Sequence, residues 1–132
     1  MAVEQELATF AASALGLVVG TSAFYAPMPE DAPDGSIAMV LFDAGPPEHD
    51  LGAGVTRLEF PQVQGSVRHA VYDTGRAQID ALVAALVAIV NQSVGGVGYR
   101  SVSVLSGPRL LKRDANLRWV FTVNFDVMKE PS

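Results

Sequence analysis

Between residues 117 and 128 the apolar side chains fall at Leu117, Trp119, Phe121, Val123, Phe125 and Val127, with Arg118, Thr122, Asn124 and Asp126 among the residues between them. A period of two is the mark of a strand with one face against a core. Twelve residues at about 3.3 Å each span roughly 40 Å, about twice the usual strand length. A strand that long and that apolar needs partners along its whole length, so the chain must contain a sheet with a covered face. At 132 residues, 49% of them hydrophobic and 17% charged, there is material for one such core, and a single domain over residues 1–132 is expected.

The other segments supply what covers that face. Val3, Leu7, Phe10 and Ala14 recur at helical spacing and predict a helix over residues 2–15. Glu4 and Glu6 suit the positive end of its dipole and Gly16 its end. Residues 17–25 read as irregular or extended, and residues 26–35, with three prolines, as a loop. Residues 37–42 (IAMVLF), apolar on both faces, predict an interior strand. The Gly- and Pro-rich residues 43–55 are a loop, and residues 57–72 an extended stretch with a bend at Pro61 and a bulge at Gly65.

A second helix, capped by Asp73 or Thr74, runs to about Gln92, where Gly95, Gly96 and Gly98 follow and end it. Its stripe is Ile79, Leu82, Val83, Leu86, Ile89 and Val90, and its alanines allow close approach of helix 1 or of a neighbouring subunit. Residues 99–106 form a strand that returns into residues 117–128 through Asp114, Ala115 and Asn116, with an irregularity at Gly107 and Pro108. The order is α-β-β-α-β-β. It predicts an α+β fold: a four-stranded, mainly antiparallel sheet with two helices packed on one face.

Charge is divided unevenly. Residues 1–56 carry eight acids and no Lys or Arg, and residues 57–132 nine bases and six acids, so the two parts hold −8 and +3 of the net −5. An acidic chain without a dense basic run makes a poor general nucleic-acid binder, because phosphate neutralisation drives that binding. The division suits an acidic face meeting a basic face on a neighbouring subunit, as well as plain solvated surfaces. Residues 7–29 lack charge, but Glu4 and Glu6 stand where a signal peptide needs bases, and Gly16, Gly20, Thr21 and Ser22 interrupt the run, so no membrane association is expected.

Reactive chemistry is sparse. The chain has no cysteine. Glu48, His49 and Asp50 are the nearest thing to a metal or acid/base cluster, but adjacent loop residues rarely converge on one ion. His69 lies in an extended stretch and reads as a packing or hydrogen-bonding residue, and Trp119 as a core anchor. The GGVG at residues 95–98 follows a helix instead of preceding one, so it lacks the helix N-terminus that holds phosphate. Neither an enzymatic activity nor a metal or cofactor is expected. The basic cluster Arg109, Lys112, Arg113 and Arg118 around the hairpin tip is the candidate contact for a partner, together with Glu48, His49 and Asp50.

A family resemblance joins these segments. Pro33, Asp34 and Ile37 enter the first strand; Pro61, Val63, Gln64, Val67 and Arg68 lie in the second; Pro108, Leu111, Arg113, Asp114, Arg118, Asn124 and Phe125 lie in the last hairpin. In order and spacing these residues resemble the phage minor capsid or tail terminator proteins. Gly65 stands where that pattern usually has an apolar residue, and Lys112 and Leu117 where it has glycines.

The resemblance implies a structural virion protein of the tail and neck region, assembled in the host cytoplasm. Such a protein forms a hexameric ring that caps the tail-tube protein and joins it to the head-tail connector. DNA passes through its lumen without specific binding. A head completion or neck connector protein is the alternative within phage assembly. A monomeric α+β binding module, reading its partner through residues 43–55, is the alternative outside it.

Overall fold

The computed structural model describes residues 2–44 and 58–131. In chain order the elements are α1 (Val3–Leu15), β1 (Ala23–Phe24), β2 (Ser36–Asp43), β3 (Gln62–His69), α2 (Tyr72–Val87), β4 (Val90–Val94), β5 (Val97–Arg113) and β6 (Trp119–Lys129). All the strands join one sheet in the order β1-β2-β3-β6-β5-β4. Every neighbouring pair is antiparallel except β1 and β2, which are parallel. The α+β class holds, but the expected four-stranded, mainly antiparallel sheet is overturned by a six-stranded mixed one.

One additional strand comes from the segment read as irregular or extended, and the other from the predicted end of the second helix. In residues 17–25 the chain turns at Val18, whose N–H donates to Ser22 Oγ at 2.9 Å, and then lays Ala23 and Phe24 beside Ile37 and Ala38. Two residues are too few for any periodicity to register. The other strand replaces the end of the predicted second helix. α2 stops at Val87, and Val90–Val94 pairs back on β5 with Val94 opposite Val97. Gly95 and Gly96 between them have φ of 59° and 81°. Two central residues with positive φ are what a tight hairpin needs, so this glycine pair makes a turn between strands and does not end a helix.

The core lies on one face of the sheet. Ile37, Val67 and Phe121 stand in one row across β2, β3 and β6, and Met39, Gly65 and Val123 in the next. Leu7, Ala8 and Ala11 of α1 and Ile79, Leu82 and Leu86 of α2 close over them in a single cluster. Gly65 keeps regular register with Met39 and Val123, so the expected bulge is absent there; β2 instead shifts register between Leu41 and Asp43. A Cβ on Gly65 would stand 3.0 Å from Leu82 Cδ2 and 3.2 Å from Phe125 Cε2. The missing side chain is the space into which α2 packs.

Other boundaries move for similar reasons. Neither Asp73 nor Thr74 caps α2, which starts at Tyr72 after Val71; the Val71 N–H donates to His69 Nδ1 at 2.9 Å. β2 is buried over Ser36–Met39, but Leu41 and Phe42 are exposed, so the interior reading of IAMVLF holds only for its first half. Gly16 ends α1 in the left-handed conformation, as its position suggests. Leu117 does not join the core stripe: it sits in the β5–β6 turn with φ of 58° and is 63% exposed.

α1 is fastened to the far end of the sheet by a buried polar group. Glu6 Oε1 accepts from the Tyr99 hydroxyl at 2.8 Å and pairs with Lys129 Nζ at 3.1 Å, with both charged side chains almost wholly buried. Burial first, and then the hydrogen bond to Glu6 and the nearby carboxylates, push the Tyr99 phenol far above its ordinary pKa. It stays a neutral donor to Glu6. Among the described residues no helix is long and apolar enough to cross a membrane.

Candidate assembly surface

Three of the residues that carry the family resemblance, Arg68, Asp114 and Arg118, meet in space and hold the proline-rich loop against the hairpin tip. Asp114 organises the turn: its Oδ1 accepts from the Asn116 N–H at 3.0 Å and from the Arg118 N–H at 2.9 Å. Its Oδ2 accepts from Arg118 Nε at 3.2 Å. Arg68 Nε stands 3.4 Å from the same oxygen, as an ion pair without hydrogen-bond alignment. The two guanidiniums then reach across to the loop. Arg68 donates to the carbonyls of Pro29 at 2.6 Å and Met28 at 3.4 Å, and Arg118 to those of Ala32 at 2.7 Å and Glu30. Planar guanidiniums with several donors suit this bridging of carbonyls to a carboxylate.

Burial alone would raise the Asp114 pKa. The Arg118 N–H and guanidinium, then the Asn116 N–H and the Arg68 guanidinium, outweigh it and hold the carboxyl below its ordinary range. A depressed folded-state pKa contributes stability above the unfolded value of about 3.9, and that contribution is lost as pH falls through the folded value. Asp114→Asn should therefore lower the urea midpoint near neutral pH. Its deficit should start to shrink as the pH is taken below about 4, where the unfolded chain takes up the proton, and vanish below the depressed folded value, where the parent carboxyl is neutral too. A deficit that stays constant with pH would show that charge plays no part.

The predicted contact residues separate into three groups. Glu48, His49 and Asp50, with most of the loop at residues 43–55, lie outside the described residues. Arg109 and Lys112 are exposed along the distal half of β5. Arg113 is exposed as well, but its Nε donates to the Leu117 carbonyl at 3.2 Å and its guanidinium lies 4.5 Å from the centre of the Trp119 ring. Arg118 is 11% exposed and committed to the internal network. Among the described residues no group of three or more His, Cys, Asp or Glu is placed to hold a metal.

The sequence reading passed over the sheet edges. β5 runs from Val97 to Arg113, but β4 pairs only as far as Ser101. The distal half of β5 therefore has β6 on one side and no described strand on the other, with Val104, Leu105, Leu110 and Leu111 exposed. At the opposite edge, among the described residues, β1 covers only Ile37 and Ala38 of β2, and beyond it Leu41 and Phe42 are exposed. A signal was present: both segments are apolar at consecutive positions, which a strand covered on one face alone does not need. The helix-free face between these edges carries Gln62, Gln64, Ser66 and Arg68 of β3 and Val120, Thr122, Asn124 and Asp126 of β6 in the rows that alternate with the core, with Thr122 and Asn124 buried.

A comparison with protein families matches residues 12–130 to the bacteriophage tail terminator proteins. Among solved structures, a chain of the virion of a native gene transfer agent particle is similar, with a TM-score of 0.56 and 19% identity. The match covers 98% of this chain and 92% of that one, and at such identity it speaks for the fold. A comparison with curated proteins finds no match. The family match spans nearly the whole chain, from within α1 to the residue after β6, and the chain belongs to the bacteriophage tail terminator family.

Proposed function

We propose that this structural protein of the phage tail works as a closed ring, most simply a hexamer, that caps the tail tube and presents its other side to the head-tail connector. The family match over residues 12–130 carries this reading. The form of the surface supports it. A chain with two apolar strand edges, open among the described residues, on opposite sides of one sheet is suited to a head-to-tail contact, and repeated use of such a contact closes a ring when the rotation allows. On β3 and β6 the helix-free face mixes Gln62, Gln64 and Ser66 with the charged Asp126 and Arg68, and it has no dense basic run among the described residues, which suits a lumen through which DNA moves without being gripped. The work is steric and interfacial.

The basic residues contribute to the contact between copies. Arg109 and Lys112 are exposed and take no part in the network that holds Arg118, which leaves them available to the acidic part of the next subunit. Native mass spectrometry across a salt series tests this. The chain should form a defined oligomer, weakened as the Debye length drops below about 10 Å and weakened similarly in Arg109→Glu with Lys112→Glu, with the far-ultraviolet spectrum unchanged. A monomer at every concentration would refute the ring, and association indifferent to both salt and charge reversal would refute the electrostatic share.

A further inference from the structure

We infer that the edge of β5 over residues 104–107 pairs antiparallel with the edge of β2 over residues 39–42, both open among the described residues, in the next copy of the chain. This rests on the ring reading and specifies its contact. The strand directions alternate from β2 through β3 and β6 to β5. A rotation about an axis along the strands preserves each direction, so the β5 of one copy meets the β2 of the next antiparallel, the more favourable ladder.

The two open stretches match in height and in length. Across the sheet Asp43 is level with Gln62, Asp126 and Ser103. Leu41 is level with Val63, Phe125 and Val104, and Val40 with Gln64, Asn124 and Ser106. Below these rows both edges stop being available together. On β2 the limit is Ala38, where β1 takes over the edge. On β5 it is Pro108, which has no N–H to donate and falls between the Ser106 and Arg109 rows. A partner strand can therefore pair over the same short stretch on each side.

Side chains and charges agree with this register. Leu41 and Val104, level with each other and both exposed, become cross-strand neighbours, and Phe42 and Leu105 lie beside them. Cross-strand apolar pairs of this kind are the unit that stabilises a sheet. Beyond Pro108, Arg109 and Lys112 of one copy come level with Ala38 and Ser36 of the next. Just before Ser36 in the chain stand the exposed Glu30, Asp31 and Asp34. The charge division between the two parts of the chain thereby becomes a contact between neighbours. An exposed apolar edge invites indiscriminate pairing, and the register irregularities flanking Ser106, with Pro108, restrict it to this short stretch.

The natural absence of cysteine makes the test direct. Within one copy β2 and β5 are three strand spacings apart, about 14 Å, beyond the roughly 7 Å across which a disulfide can form. Any disulfide between Leu41→Cys and Val104→Cys must therefore join two copies. Because a tilted ring staggers its strands, Leu41→Cys is also combined with Ser103→Cys, Leu105→Cys and Ser106→Cys. After mild oxidation at high protein concentration, at least one pair should give a ladder on a non-reducing gel that ends at the size found by native mass spectrometry. The single-cysteine variants should give nothing beyond dimers.

If the oligomer forms and none of the four pairs cross-links, the edge pairing is wrong and the ring reading survives. A chain that stays monomeric at its highest soluble concentration overturns both. A ladder without an upper limit supports the pairing and overturns closure. As an independent arm, Leu105→Lys places a charge on an exposed position and should weaken association at least about tenfold with an unchanged thermal midpoint. Unaltered association would refute the pairing.

Discussion

Lys129→Ala should cost about 3–5 kcal/mol of folding stability, the expense of removing the ammonium that pairs with a buried carboxylate. The Glu6 side chain is fully buried and its Oε1 holds both Lys129 Nζ, at 3.1 Å, and the Tyr99 hydroxyl, at 2.8 Å. Glu6→Ala should cost a similar amount, because it removes the carboxylate with which the buried ammonium pairs. The informative variant is the double replacement Glu6→Leu with Lys129→Met. Two charges leave water to make this pair, and their mutual attraction offsets that cost only in part, so an apolar pair of similar volume should fall within about 1–2 kcal/mol of the parent in either direction. Urea midpoints of the parent, Glu6→Leu, Lys129→Met and the double variant measure the coupling. If the double variant is as unstable as either single one, the polar group is needed to seat α1, and not merely tolerated there.

Phe125→Ala is the second large effect, expected at about 3–5 kcal/mol. Phe125 is wholly buried between Val63 of β3 and Val104 of β5, beneath the space left by Gly65. Removing the ring leaves a cavity where α2 meets the sheet, and close-packed surroundings relax only partly into it. Leu117→Ala, in the same alternating stripe, should change stability by less than about 0.5 kcal/mol, as for exposed positions generally. Leu117 is exposed and in the left-handed conformation, which leucine adopts at a cost that glycine would not carry. Equal losses for Phe125→Ala and Leu117→Ala, read from chemical denaturation, would contradict this division of the stripe.

The alternation at residues 119–127 was legible because a strand against a core has a strict period, and so were the hairpin, its turn at Asp114–Asn116 and the helix over Val3–Leu15. Arg118 was read as a contact for a partner because a basic cluster near a turn looks solvated when only its neighbours in the chain are known. Its carbonyl partners at Glu30 and Ala32 lie on a loop far away in sequence. Glu6 was read as a helix-dipole residue for the same reason, although its partners come from β5 and β6. The four-stranded sheet failed where local signals were ambiguous: glycines that can end a helix can equally make a two-residue hairpin, and a two-residue strand has no period at all.

The sequence by itself determined the class of the fold, the strand on which it is built and the family to which it belongs. Those properties reside in periodicity, turn chemistry and residue spacing, all of them local along the chain. The tertiary structure decided the sheet order and which half of each long strand is left without a neighbour, because strand pairing is a contest among distant segments for the same hydrogen-bonding groups. It also decided the separation of Arg109 and Lys112, exposed on a free edge, from Arg118, spent on holding the fold. A guanidinium is available to a partner only if no carbonyl or carboxylate of its own chain reaches it first, and that depends on where the rest of the chain has gone.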